Sequence, residues 1–221
     1  RGRQGTRQVG RIGARVVRIE DPPLLRGQGC FAADVNLPGQ LHMRVVRSAV
    51  AHGEIRSIDA SGALALPGVV AVWTGKDTAT LPPIGFRQMR VGGLEPYRQP
   101  ILAQDRVRYV GEPIAIVLAE DPYVAEDAEE LVFADIEDLA PVLQAIDPPG
   151  AFDADHGTEP AVVLKEYGDL AAAFAGATQV IELELSVGRH SGVPLETRGA
   201  LAVREAATGI LRMYGAAKVP H

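Results

Sequence analysis

The segment from residue 106 to residue 143 constrains the fold most, because its strand and helix signals come in a fixed order. The apolar run at 114–119 is uninterrupted, which is typical of a buried strand. Asp121 has the residue type of a helix N-cap, and Pro122 fits the first helical position. "FADIEDLAPVL" then returns as a strand. This order predicts a helix packed on a sheet.

Alternating apolar and polar residues predict further strands before this segment. In "LHMRVVRS", the residues Leu41, Met43 and Val45 form the apolar set, so we expect them to face the core. A Pro- and Gly-rich stretch at 76–100 predicts a long loop. The predicted upstream strands are at 41–48, 52–59 and 69–73. Residues 24–143 together predict one α+β domain.

The charge is unevenly distributed along the chain. The first 18 residues hold six arginines and no acidic residue, within a predicted arm of residues 1–23 that ends in an extended Asp21-Pro22-Pro23 segment. The remaining residues carry 16 basic and 28 acidic side chains, a net charge of −12. An acidic body argues against nucleic acid as the main partner. We expect the arm to lie on an acidic partner or to stay loose; nucleic acid or a membrane surface is the alternative.

Cysteine content and hydropathy disfavour several classes of protein. The single cysteine, Cys30, rules out an internal disulfide and a multi-cysteine metal or iron–sulfur site within this chain. It shares no motif with a histidine or an acid, so a buried thiol is preferred to a nucleophile. No apolar run reaches the about 20 residues that span a bilayer, and the arm lacks the apolar region of a secretory signal. The sequence fits a cytoplasmic protein.

The C-terminal part predicts a linker and a second, smaller unit. The linker, residues 144–168, contains "DADHGTE", for which a polar loop is preferred to a hard-metal site because no EF-hand register is present. "GDLAAAFAGA" predicts a short helix capped by Asp169 and ended by Gly176. The predicted strands that follow are at 179–187, 200–204 and 210–214. Residues 169–221 are few for an independent domain, and their strand edges have no partner within the chain.

Seven short motifs occur in one order between Leu24 and His221. They are "VRSAVAHGEIRSID", "LPGVVAVWTGKD", "VRYVGEPIAIVLAED", "AEDAEELVFADIEDLAPVL", "GDLAAAFAGATQVIE", "RHSGVPLETRG" and "LRMYGAAKVPH". Each motif alone is a weak signal, but the ordered set is a strong one. The set resembles the molybdenum-binding large subunit of the xanthine dehydrogenase, aldehyde oxidase and aerobic carbon monoxide dehydrogenase family.

This resemblance implies both a fold and an activity. Residues 24–143 would form an a/b hammerhead domain, and residues 169–221 the first helix and strands of an incomplete molybdopterin-binding α+β domain. The implied reaction hydroxylates an N-heteroaromatic compound or an aldehyde with water as the oxygen source. The implied cofactor is molybdenum-molybdopterin in its cytosine dinucleotide form. Electrons would pass to [2Fe–2S] clusters on a small subunit and FAD on a medium subunit.

The resemblance also implies that these residues do not make a catalytic centre by themselves. Family members continue with a "GGGFG"-like loop that holds the cofactor and with a late glutamate that serves as general base. Neither is present in this sequence. We therefore expect this chain to be inactive alone and to need the C-terminal part of the molybdopterin-binding subunit as a partner. A split gene and a fragment of one polypeptide both remain open.

Four residues are candidates for the cofactor and substrate sites on the strength of the resemblance. Lys218 stands where many family members carry a glutamine that bonds an oxygen ligand of the molybdenum. An ammonium only donates hydrogen bonds, so Lys218 would favour an anionic oxygen; the alternative is that it faces solvent. Glu196, Arg198 and His190 are substrate-pocket candidates. A buried Glu196–Arg198 pair between adjacent strands and a framework role for His190 are preferred to these pocket roles.

Two wider alternatives stay open at this point. Glu112 would face the molybdopterin domain, where a carboxylate that caps backbone N–H groups is preferred to a catalytic base. The whole chain could instead be a detached hammerhead that acts as a non-enzymatic binding or assembly module through its unpaired strands.

Overall fold

The computed structural model describes residues 17–85, 91–188, 191–194 and 196–215. The chain divides into two compact units. We call Gly39–Leu183 the central unit, and Arg1–Pro38 together with Glu184–His221 the terminal unit. The helices are α1 (Asp21–Leu25), α2 (Ser61–Ala65), α3 (Gly75–Thr78), α4 (Pro122–Glu129) and α5 (Leu170–Ala175). Mixed helix and strand confirm the predicted α+β class.

The central unit contains two three-stranded sheets in which all neighbours are antiparallel. The strands are β1 (His42–Arg47), β2 (Gly53–Asp59), β3 (Val69–Thr74), β4 (Arg106–Val107), β5 (Pro113–Ala119) and β6 (Phe133–Asp138). One sheet has the order β1-β5-β3 and the other β4-β2-β6. The chain order of these strands and of α4 is the one that the sequence predicts. The pairing could not be predicted from the alternation alone.

Helix α4 begins where its sequence signals place it. The Asp121 carboxylate accepts hydrogen bonds from the backbone N–H groups of Tyr123 at 2.8 Å and Val124 at 3.3 Å. These bonds satisfy two of the donors that a helix leaves free at its start. Ala125 and Ala128 are fully buried where α4 packs on β1 and β5.

The core of the central unit draws on both sheets and two helices. The β5 residues Ile114, Ala115 and Val117 are at most 2 % exposed, which makes β5 the most buried strand. Partly buried side chains from β2 and β6 pack against this core. The buried members of the cluster are Val46, Ala63, Ala103, Val107, Ile114, Ala115, Val117, Ala128 and Val132. Removing this apolar surface from water supplies the main stabilisation of the unit.

The predicted core face of β1 is wrong. Met43 is 56 % exposed and Leu41 is 41 % exposed, whereas Val46 on the opposite face is buried. Both faces of "LHMRVV" carry apolar residues, so the alternation did not identify the buried one. The inner face is set by α4, whose Glu126 pairs with Arg44 of β1 at 2.8 Å. Exposed Trp73 of β3 lies on the outer face with Met43 and Val45.

Helix α3 begins one residue before the predicted long loop and occupies its first three residues. The Asp77 carboxylate accepts from the N–H of Thr74 at 2.7 Å and from its hydroxyl at 2.9 Å, which closes the first turn. These hydrogen bonds lower the pKa of Asp77. A side chain at Gly75 would clash with the carbonyl of Ala103, so only glycine fits this close approach.

The terminal unit contains a two-stranded hairpin and short turns. Strands β7 (Ala200–Arg204) and β8 (Leu211–Gly215) pair antiparallel with Leu201 opposite Tyr214, which confirms the predicted hairpin. Every residue of β8 is exposed. None of the described residues of this unit is buried. The hairpin is therefore held by its ladder and not by a core.

Three local predictions are wrong in regions without a core. Asp21-Pro22-Pro23 is not extended but opens α1, since proline is compatible with the first turn of a helix. Residues 179–187 form no strand in the structure, because alternation makes a strand only where a neighbouring strand supplies hydrogen bonds. Cys30 is exposed and not buried. Helix α5 does form as predicted, with the Asp169 carboxylate accepting from Ala172 N–H at 2.9 Å.

None of the helices within the described ranges has both the length and the apolar character needed to cross a membrane.

Candidate functional site

Glu196 connects two segments of the terminal unit. Its Oε1 accepts a hydrogen bond from the backbone N–H of Ala32 at 3.0 Å, in a half-buried position. Ala32 begins a 3-10 turn, Ala32–Asp34, that contacts β7. The first N–H groups of such a turn have no internal partner, so a carboxylate acceptor stabilises them. The partner of Glu196 is thus a backbone group 164 residues away, which no sequence pattern reveals.

Arg198 is exposed and makes no ion pair with any described residue. The buried Glu196–Arg198 pair that we considered is therefore wrong. The ion pair of the hairpin lies elsewhere, between Arg212 and Glu205 at 3.0 Å, and it is exposed as well. The guanidinium of Arg198 remains available to a group outside the described chain.

His190 and Lys218 lie outside the described residues, so their predicted roles stay predictions. Across the described ranges, no group of three or more His, Cys, Asp or Glu side chains is arranged to hold a metal ion. Glu196 is engaged with Ala32, and β8 exposes its side chains. The described part of this chain does not by itself fit molybdopterin.

Glu112 is a structural carboxylate, as the preferred reading of the sequence expects. It is 2 % exposed, and its Oε2 accepts from the backbone N–H of Arg108 at 2.5 Å. Burial raises the pKa of Glu112, against the opposing effect of hydrogen bonds from Arg108 and Tyr109. The carboxylate thus closes the turn between β4 and β5.

The "DADHGTE" stretch is a hydrogen-bonded polar loop. Asp153 accepts from the backbone N–H groups of Asp155 and His156, both at 2.8 Å, and its carboxylate lies 2.8 Å from His156 Nδ1. The backbone hydrogen bond from Asp155 is the main cause of the lowered pKa of Asp153. These bonds engage the Asp153 carboxylate, which is one of the carboxylates that a hard-metal site in this loop would need.

A cavity of about 320 Å³ in the central unit is lined by three arginines that sequence reasoning did not single out. They are Arg98, Arg106 and Arg108. Arg106 and Arg108 are two positions apart in "RVR", a spacing that places side chains on one face of a strand. That spacing could be seen in the sequence. Arg98, however, lies in the loop before β4, and only the structure shows that it comes close to Arg106 and Arg108.

Two family models match the chain in sequence order. The model for the aldehyde oxidase and xanthine dehydrogenase a/b hammerhead domain matches residues 26–140. The model for the molybdopterin cofactor-binding domain matches residues 155–221. The first match alone covers more than half of the chain.

Individual relatives agree with the family models. The chain is 43 % identical, over 98 % of its length, to 6-hydroxypseudooxynicotine dehydrogenase complex subunit gamma of Paenarthrobacter nicotinovorans. It is 39 % identical, also over 98 % of its length, to nicotine 6-hydroxylase large subunit of the same organism. The structure superimposes on quinoline 2-oxidoreductase from Pseudomonas putida 86 with a TM-score of 0.81 and 39 % identity over 90 % of this chain.

The matches extend over only part of each relative. The chain spans 28 % and 27 % of the lengths of the two nicotine-related proteins, and 26 % of the quinoline enzyme chain. The family models identify the hammerhead and the cofactor-binding segment, and the superposition extends over 90 % of the chain. The chain therefore belongs to the aldehyde oxidase and xanthine dehydrogenase family of molybdopterin-dependent oxidoreductases.

Proposed function

We propose that this chain forms the N-terminal part of the molybdenum-binding subunit of a hydroxylase for N-heteroaromatic compounds. The observation that carries the proposal is the similarity, over at least 90 % of the chain, to proteins named for nicotine and quinoline. Both named compounds contain nitrogen within an aromatic ring, which favours this substrate class over aldehydes. The chain supplies the hammerhead and the first hairpin of the cofactor domain.

The proposal includes cofactors and partners that this chain does not hold alone. A molybdenum-molybdopterin group, in the cytosine dinucleotide form, supplies the hydroxylation chemistry when bound. The remaining part of the molybdopterin-binding subunit, a [2Fe–2S] small subunit and an FAD medium subunit complete a cytoplasmic hetero-oligomer. Support comes from relatives that are named as a subunit gamma and a large subunit. We retain residues 144–168 as the linker between the two domains.

The proposed site residues of this chain are Lys218, His190, Glu196 and Arg198. The exposed guanidinium of Arg198 is suited to an acceptor on the substrate or on the rest of the subunit. Glu196 acts through the Ala32 turn that it holds in place. Lys218 would donate to an anionic oxygen in the completed centre.

Metal analysis of the native complex tests the proposal. The tagged chain is purified from its own cells, and molybdenum, iron and flavin are measured together with oxidation of quinoline and nicotine. We expect one molybdenum, about four irons in two clusters and one flavin per chain, with co-purifying protein chains. A purified complex that contains no molybdenum and oxidises neither compound would refute the proposal that this chain is part of a hydroxylase.

A pair of exposed arginine variants of equal charge sharpens the site assignment. Arg198→Gln should raise the KM for the heteroaromatic substrate at least several-fold, because a charged donor is lost. Arg204→Gln, at an exposed position of β7, is the matched control and should leave the KM unchanged. Equal KM values for both variants would remove Arg198 from the substrate site.

The second candidate function is a non-enzymatic assembly module. It is favoured by the exposed outer face of the β1-β5-β3 sheet, where Met43 and Trp73 are 56 % and 46 % exposed. Isolation of a stable complex that contains partner chains but neither molybdenum nor flavin would support this function instead.

A further inference from the structure

We propose that the cavity lined by Arg98, Arg106 and Arg108 binds a small organic oxyanion. This site belongs entirely to the central unit and is separate from the residues discussed above for the cofactor and the substrate. Its volume of about 320 Å³ lies at the lower end of the range of small-molecule sites. The inference does not depend on the proposed hydroxylase activity.

The charge of the cavity is only partly neutralised by the protein. Arg98 pairs with Glu95 at 2.7 Å, and Arg106 pairs with Glu54 at 3.2 Å. Arg108 has no ion pair with any described residue, but its charge acts to lower the pKa of the nearby Glu112 carboxyl, and one acid, Asp105, lines the cavity as well. Because Arg108 is half-buried, its charge is less solvated than that of a surface arginine, and an anion beside it would be stabilised.

The arginines are held in place before any ligand arrives. The guanidinium of Arg108 lies 4.4 Å from the ring centroid of Phe152 and donates to the carbonyl of Arg106 at 3.3 Å. Arg106 donates to the carbonyl of Phe152 at 3.4 Å. Stacking and these hydrogen bonds restrict the rotamers, which lowers the entropy cost of binding.

One N–H group of the cluster lacks an acceptor among the described residues. It is the Nε–H group of Arg108, whose nitrogen is buried, whereas the buried Nε of Arg98 lies 2.7 Å from a carboxylate oxygen of Glu95. A buried donor without an acceptor costs free energy. An oxyanion in the cavity offers several acceptor lone pairs to these side chains, and so it would recover part of that cost after a small rotation of the guanidinium groups.

The rest of the lining defines the chemical class of the ligand. Leu81, Pro96, Ile101 and Phe152 give the cavity an apolar wall beside the arginines. The planar guanidinium fork matches both carboxylate and phosphate oxygens. A ligand with one oxyanion head and a small apolar body therefore fits better than a free inorganic ion.

Calorimetric titration of the 221-residue chain tests the site. The probes are benzoate and phenyl phosphate, with inorganic phosphate for the head alone and phenol for the body alone. We expect saturable binding of benzoate or phenyl phosphate with a Kd below about 1 mM, weaker binding of phosphate, and no binding of phenol. The probe that binds more tightly, benzoate or phenyl phosphate, shows whether the ligand carries a carboxylate or a phosphate group.

Three variants locate the binding event. Arg98→Gln should weaken binding about tenfold through the lost charged donor. Gln104→Glu, at an exposed position of the lining, should weaken it similarly, because the added negative charge beside the arginines repels an anionic ligand. Arg44→Gln removes the same charge from the distant pair with Glu126 and should change the Kd by less than about twofold.

Thermal melts of each variant establish that it is folded. If Arg98→Gln is unfolded, Gln104→Glu decides the matter alone, because its side chain is exposed. If neither organic probe binds saturably, the proposal is overturned. The arginines would then be assigned to a contact with an acidic side chain of another protein. Equal weakening by Arg44→Gln and by the two cavity variants would overturn it as well.

Discussion

Strands β5 and β8 are both paired antiparallel strands, yet their environments are opposite. Four of the seven residues of β5 are buried, between a strand on each side and α4 above. All five residues of β8 are exposed, and its only described neighbour is β7. The comparison shows that a complete hydrogen-bond ladder does not make a stable unit. Two strands without a covered face are marginal in water, whereas six strands and a helix around one core are not.

The same contrast extends to apolar residues that precede the hairpin in the chain. Ile181, Leu183, Leu185 and Val187 are between 73 % and 86 % exposed, although they alternate like the inward face of a strand. Such a run exposed to water favours association with another surface. Cover from the rest of a molybdopterin-binding subunit would account for it, in keeping with the proposed function.

The largest expected difference between the units comes from one substitution made in each. Val117→Ala removes two methyl groups from a fully buried position of β5 and should lower the free energy of unfolding by about 2–3 kcal/mol. Val203→Ala, at a half-buried position of β7, should lower it by less than about 0.5 kcal/mol. Urea unfolding followed by far-UV circular dichroism measures both values. Equal effects would break the comparison.

The helix caps give a second, smaller contrast, between a packed and an unpacked helix of the central unit. Asp121→Ala removes the acceptor of two N–H groups of packed α4 and should cost about 1 kcal/mol. Asp169→Ala removes a similar acceptor from α5, which has no buried residue, so the main unfolding transition should not move. The midpoints of the two variants in urea check the expectation; a shift of the α5 variant as large as that of the α4 variant would contradict it.

Glu112 predicts a pH dependence of the central unit. Its folded-state pKa is raised above the usual value near 4.5 because burial disfavours the charged carboxylate. The folded state therefore binds more protons, so this group's stabilisation is complete below the unfolded pKa and is lost as pH rises through the folded pKa. Glu112→Gln should remove this decline between the two pKa values. Melting temperatures of both proteins from pH 4 upward measure the difference; parallel profiles would count against the buried carboxylate.

Exposed ion pairs should show the smallest effects and no contrast between the units. Arg44 pairs with Glu126 in the central unit, and Arg212 pairs with Glu205 in the hairpin. Both pairs lie in water, where such contacts contribute about 0–1 kcal/mol. Arg44→Gln and Arg212→Gln should each change the free energy of unfolding by less than about 0.5 kcal/mol. If either variant loses more than about 1 kcal/mol of unfolding free energy, its ion pair stabilises the protein more than an exposed pair is expected to.

The sequence predicted the elements best where local signals and a core agree. Asp121-Pro122 fixed the start of α4, and the apolar run after Pro113 fixed β5. The face of β1 could not be predicted because Val46 and Met43 are both apolar, and only the position of α4 distinguishes them. The strand prediction at 179–187 failed because no strand among the described residues supplies hydrogen bonds to this segment.

The candidate site was less predictable than the fold for a related reason. Glu196 accepts a hydrogen bond from the backbone of Ala32. These two residues are far apart in the chain, so no sequence pattern indicates the contact. The arginine cavity needs Arg98 from a loop beside Arg106 and Arg108 from a strand end. Glu112 was predictable, because a carboxylate between Gly111 and Pro113 sits in a turn with N–H groups to satisfy.

Hydrogen exchange of the 221-residue chain, measured by mass spectrometry, tests most directly whether the two units differ in stability. We predict that amides of β5 exchange at least about 10³-fold more slowly than unstructured peptide, since they open only when the central unit unfolds. Amides of β7, β8 and residues 179–188 should exchange within about tenfold of unstructured peptide. Protection of β7 and β8 equal to that of β5 in the isolated chain would contradict the account.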